Sequence, residues 1–213
     1  MSPSSEQGPD DPKYVGPEAM RLGYFRRLAT KGPPIPIDQI VRRKRSGDGE
    51  EKAEAVDLGV VWDMGAPSPT LLQSEHEAYL LFYLSRRDPN FDGRTVHIRS
   101  PADRGVAAVH FKTCKGAHLG PPSEETLEGH PLWGKGVDFY GAFMVRNSRW
   151  LAQMEQIDSV HPTYDPKWWD RFNHYILTFH DTTFECVAQG YEVRRLGASL
   201  KEAAQEVLQR LTG

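Results

Sequence analysis

From His174 to Val193 the sequence reads as a hairpin, and its alternation collects polar side chains on one side of a ribbon. Tyr175, Leu177 and Phe179 fall at every second position, and so do Phe184, Cys186 and Ala188, which is the pattern of a hairpin with one buried face. With Asp181-Thr182 as the two turn residues, His180 opposes Thr183, Thr178 opposes Glu185, and Ile176 opposes Val187. The second face then carries His174, Thr178, His180, Thr183, Glu185 and Gln189. His180 lies one cross-strand diagonal from Glu185, about 7–8 Å between backbones. A histidine beside a carboxylate is the minimal general base, because the carboxylate orients the ring and stabilises its charged form. The same residues would also suit the solvent-washed side of an ordinary sheet.

A second group of chemistry-bearing residues is His110, Cys114 and His118, with His130 farther along. Thiolate and imidazole suit zinc, but this spacing matches no zinc signature, so neither a metal nor an organic cofactor is expected. The chain has no Gly-x-Ser-x-Gly and no His-Glu-x-x-His, and Gly116, Gly120, Gly129, Gly134 and Gly136 form no dinucleotide or phosphate-loop fingerprint. Trp133, Trp150, Trp168 and Trp169 fit a ligand pocket or, more plainly, a packed core or subunit interface. His180 and Glu185, with His110, His118 and His130, are therefore the candidate catalytic residues.

The elements that must position them follow from local pattern. Val56–Trp62 reads as a short strand, and Tyr79–Leu84 as a strand apolar on both faces. Val106–Thr113 alternates, with Ala107, Val109 and Phe111 on one side. Residues 114–136 form a long Gly/Pro loop, of a length that is more often functional or disordered than accidental. Val137–Val145 returns as a strand. Asn147-Ser148 supplies the cap of a helix with Trp150, Leu151, Met154 and Ile157 on one side, and Asp165-Pro166 opens a short helical turn. Ser199 and Glu202 make a capping box for a final helix, with an apolar stripe of Leu200, Ala203, Ala204, Val207, Leu208 and Leu211. Leu208 is expected inside. Strands and helices do not alternate one for one, so the fold class is α+β with a mainly antiparallel sheet.

Residues 1–55 read as a disordered or extended arm, and 56–213 as a single domain. Pro17–Leu28 could open a short helix, and Arg42-Arg43-Lys44-Arg45 is a basic run cancelled by the acids behind it. A net charge of −3 argues against a general nucleic-acid binder. Met1–Pro12 is polar, so no signal peptide is expected, and no run approaches the ~18 apolar residues of a membrane span. Cys114 and Cys186, each in a strand-like stretch, read as two small buried thiols, with their closeness in space left open. The expectation is a small cytoplasmic enzyme that moves protons on a small-molecule ligand, with no nucleic acid or membrane partner and a homo-oligomer left open. The alternative is a non-catalytic interaction module built on the Trp-rich segment and the 114–136 loop.

Overall fold

The computed structural model describes residues 50–85, 105–197 and 199–212. The helix expected at 17–28, the basic run at 42–45 and the turn at 87–90 lie outside them.

Two antiparallel sheets stack face to face in an α+β architecture. One has five strands in the order β1-β6-β7-β8-β5: β1 Lys52–Ala55, β6 Ala142–Arg146, β7 Asn173–Thr178, β8 Thr183–Ala188 and β5 Gly116–Gly120. The other has four, β2-β3-β4-β9: β2 Thr70–Gln73, β3 Ala78–Tyr83, β4 Val106–Lys112 and β9 Gly190–Leu196. Alternation decides which side chains meet between them. Leu80 and Phe82 of β3 and Val109 and Phe111 of β4 pack against Leu177 of β7 and Phe184 of β8. Cys114 and Cys186 are buried in this same layer as free thiols, and Cys114 Sγ donates to the Gly116 carbonyl at 3.4 Å.

The outer face of each sheet is covered differently. Tyr79 and Leu81, the alternate residues of β3, pack on Ala203 and Val207 of the C-terminal helix, numbered α3, Leu200–Thr212. The capping box forms, with Ser199 Oγ accepting from Glu202 N–H and Glu202 Oε2 accepting from Ser199 N–H. Leu208 is 51% exposed, a correction to the apolar stripe: the buried side runs through Ala203 and Val207, and Leu208 falls one residue past it. The five-stranded sheet is covered at one end by a 3-10 helix, Glu124–Gly129, and Leu132. At the other end lie α1, Arg149–Asp158, and α2, Pro166–Trp169, which bring Leu151 and Trp169 onto Val187.

Several expected elements shift. The strand expected over 56–62 is absent; β1 lies just before it, and Trp62 makes only an isolated bridge to Leu84. The strand expected from Val137 is confined to β6, because Tyr140 takes a left-handed φ of 49° that breaks the extended run. The 114–136 loop contains both β5 and the 3-10 helix. Val193 belongs to β9, which leaves the hairpin and pairs with β4 in the other sheet. Ile157 is exposed near the end of α1 rather than packed.

Candidate functional site

The β7–β8 hairpin has the two faces that alternation predicts, in a different register. Ile176 opposes Glu185, Leu177 opposes Phe184 and Thr178 opposes Thr183. Phe179 N–H donates to the Thr182 carbonyl at 2.9 Å, which leaves His180 and Asp181 at the tip. The turn is one residue earlier than expected, so every partner moves by two. Such a shift conserves the faces, since side-chain direction repeats every second residue. It allows Phe179 to pack in the core against Trp62 and Phe82, each ring 5.3 Å away. It also separates the residues expected to be partners: His180 and Glu185 each take part in a different cluster.

Glu185 lies between two buried imidazoles. His174 Nε2 is 2.8 Å from Oε2, and His130 Nε2 is 3.4 Å from Oε1. A backbone N–H fixes the tautomer of His130. The Leu132 N–H donates to His130 Nδ1 at 3.1 Å, so the proton of that neutral ring is on Nε2 and points at the carboxylate. Ser148 Oγ accepts from Leu151 N–H, its α1 capping bond, and is 2.9 Å from His174 Nδ1. The Glu185 carboxylate only accepts, so His174 presents Nε2–H to it, and a neutral ring then accepts the Ser148 hydroxyl proton at Nδ1. Burial works against a charged Glu185, but the bonds from His130 and His174 more than offset it and hold the carboxyl at about 2. So acidic a carboxyl is a weak base, and this chain of bonds serves to pin the loop and the start of α1 to the sheet.

The second cluster lies at the hairpin tip. His180 Nδ1 is 3.0 Å from Glu124 Oε2 and 3.1 Å from the Tyr140 hydroxyl, and Tyr140 itself donates to Glu124. The backbone assembles it. Glu124 N–H donates to the His180 carbonyl at 2.8 Å, and Thr183 Oγ1 to the Pro122 carbonyl at 2.9 Å, which ties the start of the 3-10 helix to the tip. Thr178 Oγ1 accepts from Gly141 N–H and donates to the Asp138 carbonyl, each at 2.8 Å, and so holds the segment around Tyr140. Hydrogen bonding to Glu124 raises the His180 pKa, and the Tyr140 and His180 bonds lower that of Glu124. Burial, together with the Glu124 bond, pushes the Tyr140 phenol up to about 12. The His180 side chain is 39% exposed, and the acid nearest its Nε2 is Asp181 at 4.0 Å.

Tyr140 also lines a groove of about 300 Å³ bounded by residues of the segment Ala55–Met64 and by Gly141, Ala142 and Phe143. Val61 and Met64 on its wall are 70% and 59% exposed.

The remaining candidates do not converge. His118 opposes Glu185 across the β5–β8 pair, but it is exposed and its ring lies over Gly120. His110 is on the outer face of the four-stranded sheet, stacked on Tyr79 at 4.2 Å with Glu77 3.2 Å from its Nε2. Cys114 is in the core, so the set His110, Cys114, His118 and His130 is scattered over three layers. Among the described residues no three His, Cys, Asp or Glu side chains are arranged to hold a metal ion. Among the described residues no helix is long and apolar enough to cross a membrane.

Sequence reasoning missed Glu124, Tyr140 and the role of His174. His174 could have been found, since it lies on the polar face; Glu124 and Tyr140 reach His180 from distant loops with no local signal. Comparison with family models, curated proteins and solved structures finds no match for this chain.

Proposed function

We propose that this chain is a small cytoplasmic enzyme that transfers a proton on a small molecule, with His180 as the general base and Glu124 as the residue that orients it. One observation carries the reading: His180, its side chain 39% exposed, sets Nδ1 3.0 Å from Glu124 Oε2 and Nε2 4.0 Å from the Asp181 carboxylate. With Nδ1–H donated to the Tyr140 oxygen and Glu124 Oε2 standing 3.0 Å from the same nitrogen, the lone pair of Nε2 is free to take a proton. The imidazolium that forms is stabilised by the same carboxylate. Tyr140 joins the pair to the neighbouring groove, where a substrate would bind, and its left-handed backbone is strain of a kind that gathers at working sites. Imidazole and carboxylate suffice for this step without an organic cofactor. Two unpaired thiols favour a reducing compartment.

The test is a panel of small carbonyl, ester and amine compounds in D2O, with C–H exchange and bond cleavage followed by proton NMR. A substrate should emerge whose turnover falls by roughly 100-fold or more in His180→Gln. Turnover unchanged in that variant would refute the proposal, and so would a panel left untouched.

The interaction-module reading has its own observation. An apolar hollow of about 460 Å³ lies between Lys115 and the end of α1, where Ile157 is 75% exposed. Self-association by sedimentation that disappears in Ile157→Glu would favour it.

A further inference from the structure

We propose that the groove beside Tyr140 binds an organic amine, a compound that carries a protonated nitrogen on an apolar body. The inference rests on the reading of the Tyr140–His180 cluster as the reactive end of that groove, and it names the class of molecule that fits.

The walls are hydrocarbon and aromatic. Val56, Leu58, Val60, Val61, Trp62 and Met64 form one side, and Val61 and Met64 stay largely exposed without an occupant. Covering such side chains is favourable by about 25 cal/mol for each Å² removed from water, so the ligand needs an apolar body. The charges are nearly all of one sign. Among the described residues that line the groove, Asp57 is the one with a formal charge. At its Tyr140 end Glu124 accepts from the phenol, and Glu125 and Asp181 act on His180 from nearby. Among the described residues, four carboxylates thus stand against the single imidazole of His180. Arg195, whose guanidinium bonds the Gly59 carbonyl, is not a lining residue. A carboxylate ligand would meet like charge there, whereas an ammonium group would find Asp57 and the rings of Trp62, Tyr140 and Phe143.

The experiment uses three probes matched in shape: phenethylamine, 2-phenylethanol and 3-phenylpropionate. Binding to the full chain is measured by calorimetry and by the Trp62 indole N–H resonance, assigned through Trp62→Phe. Phenethylamine should bind about tenfold or more tighter than the alcohol, with the propionate weakest. Asp57→Asn, whose amide oxygen can still accept from Gly59 N–H, should bring the amine down to the affinity of the alcohol. The inference is overturned if the propionate binds as tightly as the amine, if Asp57→Asn leaves amine affinity unchanged, or if none of the three binds. The same titration in His180→Gln separates this idea from the proposed function. Amine binding that survives there supports the groove assignment whatever happens to turnover. Amine binding that vanishes there would place the ligand on His180 and overturn it.

Discussion

His180 and Glu124 are 56 positions apart in sequence, yet Nδ1 and Oε2 stand 3.0 Å from each other at the tip of a hairpin. The contact raises the His180 pKa, and replacing Glu124 with Gln should lower it. Because the folded value is raised, the pair stabilises the fold fully below the ordinary histidine value of 6.5, and this contribution fades as pH rises through the raised value. Ring-carbon NMR titration of wild type and Glu124→Gln checks this. Equal His180 pKa values in the two proteins would mean that the carboxylate does not act on the ring.

Glu185 behaves in the opposite sense. Its folded value, about 2, lies below the ordinary 4.5. The stability it supplies is present above 4.5 and is lost as pH falls toward 2. The difference corresponds to roughly 3 kcal/mol. Chemical denaturation across that window should show a steep loss in wild type and a shallower one in Glu185→Gln. At neutral pH, His174→Ala should cost about 1.5–3 kcal/mol, since it removes a donor from a buried carboxylate.

The C-terminal helix offers a paired test. Val207 is 3% exposed against β3 and β4, while its neighbour Leu208 faces out. Val207→Asp should destabilise by about 3 kcal/mol or more. Leu208→Asp should stay within about 0.5 kcal/mol. Equal melting temperatures for the two variants would show that the helix does not dock as described.

Gly136 holds a φ of 108°, and a Cβ there would land on the carbonyl oxygen of Ala53. Gly136→Ala should therefore cost roughly 1–3 kcal/mol through backbone strain, with further loss as β1 moves aside. Thermal melts decide it, and a neutral substitution would mean that β1 is free to shift.

The layers were legible wherever alternation was strong. β3, β4 and the faces of β7 and β8 follow from which residues are apolar, because burial selects side-chain direction. The register did not follow. Alternation determines only whether Phe184 faces the core, and turns centred on His180-Asp181 or Asp181-Thr182 satisfy it equally. That ambiguity cost the pairing of His180 with Glu185. β5 was hidden because Gly116, Ala117 and Gly120 lack the bulky residues that announce a strand. Gly116 is small for a reason visible only in three dimensions: a Cβ there would be 2.8 Å from the Met154 methyl. Glu124 and Tyr140 join the site through the fold of a loop, where periodicity carries no information.

A single residue, Gln189, separates β8 from β9, and with it one sheet from the other. Its N–H donates to the Lys112 carbonyl at 3.0 Å, at the end of β4. The two sheets are thereby geared together like meshed wheels. One extra residue at this crossing would rotate Tyr191 and Val193 to the wrong side of β9, or else force β8 to slip and turn Phe184 and Cys186 outward. The hairpin that carries His180 at its tip thus inherits its alignment from the opposite layer. Length variation near the candidate site should be tolerated at the tip itself long before it is tolerated at Gln189.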